Sequence, residues 1–209
     1  MNNKTKRVLL LLVSAAAFNF LVYFGSRQIA SDRPHSCLAT AFDSALPALS
    51  WTVLIYCGAY LFWIVNYCLS AFFDRYGGNR FIISHFIGET VCFFAFILLP
   101  TTMLRPETAG TSVFDRWLEL VYRLDKADNL MPSIHCFTSW LCWIGVRNNL
   151  RIPRWYQNTS LLAAIAICIS TLTVKQHVIA DAAAGIFLAE SSYCLAGQGE
   201  QLSRKEVFL

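Results

Sequence analysis

Two polar residues at the start of the last long apolar stretch have the types and spacing of a catalytic pair. His177 and Asp181 are four residues apart, so on a helix they share a face and can touch. A carboxylate bonded to one imidazole nitrogen fixes the tautomer and leaves the other nitrogen free as a nucleophile or a base. The pair therefore predicts nucleophilic or acid–base chemistry at this point of the chain.

Further polar residues suited to binding an anion precede other apolar stretches or follow them. His135 comes directly after Pro132-Ser133-Ile134, and an imidazole suits acid catalysis near neutral pH. The Pro-Ser pair predicts a helix N-terminus, where free N–H groups and the helix dipole favour an anion. Arg105 and Lys175 add positive charge, and an arginine can bind phosphate with two parallel hydrogen bonds. These residues together predict a site that handles phosphate.

The composition indicates that a membrane surrounds the elements that carry these residues. Hydrophobic residues make up 56% of the 209 residues and charged residues only 14%, whereas soluble domains contain about 25% charged residues. Six runs approach the roughly 20 apolar residues that a membrane-spanning helix needs: 8–24, 46–73, 81–100, 132–146, 159–174 and 177–196. We therefore expect a single all-α domain over residues 1–209, an integral-membrane bundle of six transmembrane helices.

Two segments outside the later spans have distinct patterns. Residues 113–124 have amphipathic helical spacing and are expected to lie at the membrane interface. Gly77-Gly78 predicts a tight turn between the second and third runs. The first run follows three basic residues, as a signal peptide does, but its small residues at 15–17 lie within the run and not after it. A membrane span is therefore the preferred interpretation of the first run.

The distribution of basic residues orients the six predicted spans. Ten of the 17 lysines and arginines fall on the side that carries both termini, and seven fall on the other side. Cytoplasmic loops carry the excess of positive charge, so both termini are expected on the cytoplasmic side of the membrane. The membrane is expected to be the cell membrane, which is the inner membrane where a cell has two. The polar residues described above then all lie at the extracytoplasmic ends of the helices. The basic charge is a topology signal, and no nucleic-acid partner is predicted.

Three short motifs resemble those of the type 2 phosphatidic acid phosphatase (PAP2) superfamily: Arg105-Pro106, Pro132-Ser133-x-His135 and His177-x-x-x-Asp181. The superfamily includes six-helix lipid phosphatases, and its core is shared with soluble acid phosphatases and vanadium haloperoxidases. The motifs cover about residues 80–196. The resemblance therefore implies a PAP2/haloperoxidase-like core with a lipid phosphate as substrate.

The resemblance also implies a role for each motif residue. The histidine that matches His177 attacks phosphorus and becomes a phosphohistidine, and the aspartate that matches Asp181 orients it. The histidine that matches His135 protonates the leaving group. The positions that match Arg105 and Ser133 hold phosphate oxygens. The family chemistry requires neither a metal nor another cofactor.

The sequence departs from the family pattern at two cations. Leu98 stands where the first motif usually has a lysine, and Thr171 stands where the third motif usually has an arginine. We hypothesise that Lys175 replaces one of these cations, and Lys126 is a weaker candidate for the other. The departures are similar to the branch that contains inositol-phosphoryl transferases of sphingolipid synthesis.

The sequence therefore predicts an integral-membrane phosphatase of a lipid phosphate, with membrane lipids as its surroundings. Phosphatidic acid, phosphatidylglycerol phosphate and a polyprenyl diphosphate all remain possible substrates. One alternative is a transferase that moves a phospho-headgroup to an alcohol, and another is a non-catalytic binder or transporter of lipid phosphates. The four histidines are dispersed, so no metal site is predicted.

Three further polar residues lie inside the apolar runs. His85 and Glu89 are four residues apart in the third run, and Glu190 lies in the sixth. We interpret the three as one buried polar cluster that joins the two spans. A separate path for protons or a ligand is the alternative interpretation.

Overall fold

The structure is a computed structural model that describes residues 3–73, 79–108 and 110–206. The turn expected at Gly77-Gly78 lies outside these ranges. The elements in chain order are α1 (Asn3–Ala30), β1 (Ser36–Cys37), α2 (Ala41–Ala45), a 3₁₀ turn (Ser50–Thr52), α3 (Val53–Phe73), α4 (Asn79–Leu98), β2 (Thr101–Thr102), α5 (Val113–Leu124), α6 (Ile134–Val146), α7 (Arg154–Thr173) and α8 (Ile179–Glu206). The two short strands pair in parallel, and the all-α prediction is confirmed.

Four helical segments are long and apolar enough to cross a membrane: Val8–Ala30, Ser50–Phe73, Arg80–Leu98 and Ile179–Gln198. Large apolar side chains on them, such as Leu10, Leu61 and Phe187, are more than 60% exposed. Such a surface suits hydrocarbon and not water, as expected of an integral membrane protein. These four segments correspond to four of the six predicted spans. The other two predicted spans correspond to α6, which has only 13 residues, and to α7, which is not one of the four segments.

Helix α6 lies at the centre of the bundle. It packs against α3, α7 and α8, and Phe137, Leu141 and Ile144 are at most 1% exposed. A helix that is apolar on all sides is normally enclosed by other helices. The short length of α6 and its apolar sequence are therefore consistent with a central position.

The long helices meet at one end of the bundle, which we call the site end. There the Ser133 N–H at the start of α6 donates to the carbonyl of Asp181 in the first turn of α8, at 3.0 Å. The Leu49 N–H, before α3, donates to the last residue of α7, Thr173, at 2.9 Å. The segments that the sequence predicts to converge around residues 105, 133–135 and 175–181 do lie at this common end.

The amphipathic segment between α4 and α6 is helical over the predicted residues. Helix α5 begins with a capping box, in which the Ser112 hydroxyl accepts from the Asp115 N–H and the Asp115 carboxylate accepts from the Ser112 N–H. Leu118 on its apolar face packs against Val53 and Tyr56 of α3. This contact lays α5 across the start of α3 at the site end.

The prediction that Glu190 forms a polar cluster with His85 and Glu89 is wrong. Its carboxylate accepts two hydrogen bonds from Arg147, at 2.8 and 2.7 Å, and one from the Trp140 indole at 3.0 Å. The cationic guanidinium at the end of α6 is a stronger partner for a carboxylate than a neutral polar group. His85 and Glu89 hydrogen-bond instead to residues of α3 and α1.

Helices α6 and α8 approach so closely that one position between them admits only glycine. A Cβ atom built on Gly185 would lie 2.5 Å from the carbonyl oxygen of Ser133 and 3.0 Å from the Phe137 nitrogen. Both contacts are with backbone, which cannot move aside as a flexible side chain can. The distance between the starts of the two helices therefore depends on Gly185.

Gly185→Ala should destabilise the protein by about 1–3 kcal/mol, because the added methyl group overpacks the α6–α8 contact. The measurement is the midpoint of thermal unfolding in detergent. Gly58→Ala is the matched control, since a Cβ on Gly58 of α3 meets nothing within 4 Å. It should leave the midpoint unchanged or raise it slightly. Equal midpoints for both variants would contradict the close contact.

Candidate active site

A cavity of about 720 Å³ opens between α1 and α3, with parts of α4 and α6 behind it. Its walls away from the site end are mainly apolar and include Leu12, Val13, Phe20 and Ile64. Its wall at the site end is polar and includes His135, Gln176 and His177, together with residues of the loop that precedes α6. A cavity with one apolar and one polar end fits an amphipathic molecule.

The His177–Asp181 pair lies where the chain enters α8. Because α8 begins at Ile179, His177 belongs to the turn before the helix and not to the helix itself, as the sequence had suggested. The imidazole Nδ1 nevertheless lies 3.5 Å from Asp181 Oδ2, which also accepts from the Val178 N–H at 2.9 Å. Such contacts are often long in the absence of a ligand. The carboxylate is thus placed to orient the ring.

His135 lies opposite His177 in the cavity. The ring centres are 6.4 Å apart, which leaves a gap between the two imidazoles. Tyr56 stacks on the His135 ring at 4.2 Å, and Trp63 and Tyr60 lie 5.0 and 5.8 Å away. His135 Nε2 is buried and has no hydrogen-bond partner among the described residues. The aromatic rings therefore fix the position of an imidazole that has one nitrogen unoccupied.

Arg105 is a half-buried cation without an anionic partner in the described part of the chain. Its guanidinium donates to the carbonyl of Asp125 at 2.5 Å, to the carbonyl of Tyr122 at 3.4 Å and to Gln176 Oε1. No carboxylate oxygen of a described residue lies within 4.0 Å of it, and its buried Nε has no partner. Burial lowers the pKa of Arg105, although a guanidinium stays protonated. An unpaired cation of this kind favours a bound anion.

Gln176 is a site residue that the sequence analysis did not single out. Its side chain is 1% exposed and lines the cavity. Because Oε1 accepts from Arg105, the amide nitrogen Nε2 is the atom without a partner. The sequence offered one indication of this role, because Gln176 is a polar amide that directly precedes a candidate catalytic histidine in an apolar region.

None of the three predicted phosphate ligands lines the cavity directly. Ser133 is fully buried and uses its hydroxyl oxygen to cap α6, where it accepts from the Cys136 N–H at 3.3 Å. Lys175 has a left-handed backbone, with φ of 53°, and its ammonium donates to the carbonyls of Asp43 and Leu46 at 2.8 and 2.7 Å. The Lys175 charge is therefore bound by carbonyls at the C-terminal end of α2, and Lys175 is not among the residues that line the cavity. Arg105 likewise reaches the cavity wall only through Gln176.

Asp43 fixes the start of α8 from the opposite side. Its Oδ1 accepts from the Ile179 N–H at 2.7 Å, and its Oδ2 accepts from the Thr40 N–H at 2.8 Å. Burial alone would raise the pKa of Asp43, but these hydrogen bonds outweigh it and lower the pKa. The carboxylate is therefore held charged at the N-terminus of α8, where the helix dipole favours it.

Charged groups line the cavity at the site end. Arg27 of α1 pairs with Asp128 at 2.5 Å and lies 3.8 Å from Asp125. Lys126 lies between these two aspartates in sequence and also lines the cavity. Asn129 donates through Nδ2 to the Tyr23 carbonyl, while its buried Oδ1 has no partner in the described part of the chain. Of the two cations proposed as replacements, Lys126 is therefore the one that lines the same cavity as the two histidines.

The described residues contain no group of three or more histidine, cysteine, aspartate or glutamate side chains that could hold a metal ion. None of the protein-family models, curated proteins or solved structures compared with the chain matches it. The PAP2 resemblance thus rests on the three sequence motifs.

Lys175→Met should lower the stability of the protein by about 1.5–3 kcal/mol, because two carbonyls lose hydrogen bonds from a charged donor. Lys126→Met is the matched control. The Lys126 side chain is exposed, and its only hydrogen bond among the described residues is through its backbone carbonyl, which accepts from the Asp128 N–H, so the change should stay within about 0.5 kcal/mol. Thermal unfolding in detergent measures both. An unchanged midpoint for the Lys175 variant would contradict the structural role.

Proposed function

We propose that the protein is an integral-membrane phosphatase that hydrolyses a lipid phosphate through a phosphohistidine. The observation that carries this proposal is the placement of His177 and His135 across the polar end of an otherwise apolar cavity. A lipid phosphate has the same division, with its phosphate at the two histidines and its chains along the apolar walls. Binding alone requires cations, whereas two positioned imidazoles and an orienting carboxylate suit catalysis.

In the proposed reaction, His177 attacks phosphorus through Nε2, while Nδ1 faces Asp181. The bond from phosphorus to the lipid oxygen breaks, and His135 donates a proton to the departing alkoxide. Water then attacks the phosphohistidine, and inorganic phosphate and free His177 result. His135, now neutral, takes the proton from that water, so that both histidines return to their starting states.

The phosphate oxygens are bound by a different set of donors from the one that the motifs imply. Gln176 lines the cavity next to His177, its Nε2 has no partner among the described residues, and Arg105 donates to its Oε1. The N–H groups at the start of α6 contribute the positive end of the helix dipole, and Lys126 supplies a mobile charge. In a site of low polarity, donors aimed at the developing charge stabilise the transition state strongly.

The proposal keeps the topology of six spans in the cell (inner) membrane. Both termini lie on the cytoplasmic side and the site end lies on the extracytoplasmic side. Successive long helices run alternately toward the site end and away from it, and this supports an even number of membrane crossings. The enclosed position of α6 explains how a helix too short to face lipid along its whole length can still be part of such a bundle.

A second candidate function is transfer of a phosphoryl headgroup to an alcohol. The buried Asn129 Oδ1 favours it, because this unpartnered acceptor in the cavity wall can orient a hydroxyl group in place of water. Adding inositol or a ceramide-like alcohol to the assay distinguishes the reactions, since a transferase forms a new phosphodiester and a phosphatase releases free phosphate. Lipid binding without either product would favour a non-catalytic binder.

His177→Ala should reduce phosphate release at least about a thousandfold, because the nucleophile is lost. The assay uses a panel of lipid phosphates and diphosphates in detergent micelles containing EDTA, with thermal unfolding as a check that the variant is folded. Turnover by the folded variant at the wild-type rate would contradict the mechanism.

Gln176→Leu should lower kcat about a hundredfold, the usual effect of removing one donor to a transition-state oxyanion. Lys175→Met is the comparison, and any loss in that variant should follow its loss of folded protein. The measurement is kcat per folded molecule. A larger effect at Lys175 than at Gln176 would restore the motif-based assignment of the phosphate ligands.

A further inference from the structure

The carboxylate of Asp125 is joined to the candidate catalytic histidine His135 by a single tyrosine and has no role in the chemistry proposed above. Asp125 follows α5, where its N–H donates to the carbonyl of Val121 at 2.8 Å. Its Oδ1 accepts a hydrogen bond from the Tyr23 hydroxyl of α1, and its Oδ2 accepts one from the Tyr56 hydroxyl of α3 at 3.2 Å. Donors from two helices therefore hold this carboxylate in place.

Tyr56 lies between the carboxylate and the imidazole. It is 2% exposed and is not among the residues that line the cavity. Its ring stacks on the His135 ring, with centres 4.2 Å apart and planes at 16°, and its hydroxyl oxygen lies 3.5 Å from His135 Nδ1. Catalytic contacts of this length commonly shorten when a substrate binds. Tyr56 can therefore act on a substrate only through His135.

The direction of the two hydrogen bonds follows from the single proton of the Tyr56 hydroxyl. Of its two neighbours, the Asp125 carboxylate is charged and closer, at 3.2 Å against 3.5 Å for Nδ1, so the carboxylate is the stronger acceptor. The Tyr56 oxygen then offers a lone pair to Nδ1, and His135 carries a proton there. Its Nε2, which has no partner among the described residues, is the nitrogen left for chemistry.

The cation beside Asp125 does not compete with Tyr56. Arg27 pairs with Asp128 at 2.5 Å and lies 3.8 Å from Oδ1 of Asp125. It also donates to the hydroxyl of Tyr23, which in turn donates to the same Oδ1. Arg27 therefore acts on the Oδ1 side of the carboxylate and leaves Oδ2 to accept from Tyr56.

We propose that Asp125 and Tyr56 are positioning residues for His135. Nδ1–H of His135 donates to the Tyr56 oxygen, and the Tyr56 hydroxyl donates to Asp125 Oδ2, so one ring proton stays on Nδ1. The inference rests on the proposed phosphatase function and assigns the groups that control its acid. When the imidazolium gives its Nε2 proton to the departing lipid oxygen, the neutral ring that results is the tautomer that Tyr56 binds. Nε2 later takes the proton from the attacking water, and the Nδ1 proton moves in neither step.

The test varies the leaving group, because a strongly basic leaving group needs an acid and a weakly basic one does not. The substrates are dodecyl phosphate and 4-dodecyl-2-nitrophenyl phosphate in detergent micelles. The alkoxide of the first needs a proton as it departs, whereas the nitrophenolate of the second departs without one. The measured quantity is kcat/KM for each, since it reports the steps up to formation of the phosphohistidine.

Tyr56→Phe and Asp125→Asn should each lower kcat/KM for the alkyl phosphate about 10–100-fold and for the aryl phosphate less than about threefold. The phenylalanine keeps the stacked ring but removes the oxygen that accepts from Nδ1. The asparagine frees the Tyr56 proton to turn toward Nδ1, which favours the wrong tautomer of His135. The double variant should be no slower than the slower single variant, because both changes break the same chain.

Tyr67→Phe is the matched control. Tyr67 is on the same helix, and its hydroxyl lies 2.8 Å from Nδ1 of a different histidine, His85. This change removes a buried tyrosine–histidine hydrogen bond of the same kind and should preserve the wild-type ratio of alkyl to aryl kcat/KM. Each ratio is measured within one preparation, so partial unfolding of a variant cancels.

A wild-type ratio in both the Tyr56 and the Asp125 variants, whether both rates fall or neither does, would overturn the inference and leave the phosphatase function intact. If the wild-type protein released phosphate from neither substrate, the proposed function itself would fail and the inference with it.

Discussion

The close contact between the starts of α6 and α8 is the constraint on which the site depends. Gly185 allows the two backbones to approach, and the Ser133 N–H closes the contact on the carbonyl of Asp181. His135 and His177 lie on either side of this contact, so their 6.4 Å separation is a consequence of it. The separation of the two imidazoles therefore depends on this helix packing and on the turn before α8, in which the Thr171 carbonyl accepts from the His177 N–H at 3.1 Å.

A membrane makes unpaired polar groups costly, and most charged groups of this protein obey that rule. Arg27 is paired with Asp128, Arg147 with Glu190, and Lys175 with two backbone carbonyls. Some of the exceptions lie at the cavity wall, where buried atoms of Asn129, His135 and Gln176 have no partner in the described part of the chain, and others, such as Ser70 Oγ, lie away from it. The atoms at the cavity wall are the ones that a bound ligand can satisfy.

The sequence was sufficient to predict the long helices and their common site end, because apolar runs separated by polar residues can be recognised directly in a sequence. It also located α5 through its amphipathic period. It did not predict the direction of side chains in the turn before α8, which depends on a left-handed backbone at Lys175 that turns the ammonium toward residues 43 and 46. Nor did it predict that Glu190 would pair with Arg147, since that contact joins two helices through their relative rotation, which periodicity does not specify.

The two positions that depart from the PAP2 pattern lie in different environments. Leu98 is 67% exposed on α4, whereas Thr171 is fully buried. The Thr171 carbonyl accepts hydrogen bonds from the N–H groups of residues 176 and 177 in the turn before α8. Among the described cations near this end of the cavity, Arg27 is paired with Asp128 and Lys175 with two carbonyls, which leaves Arg105 and Lys126 without an anionic partner. A diphosphate carries more negative charge than a monoester and needs more cations to offset its desolvation. For the proposed phosphatase, the charge balance of the cavity therefore favours a phosphate monoester over a diphosphate.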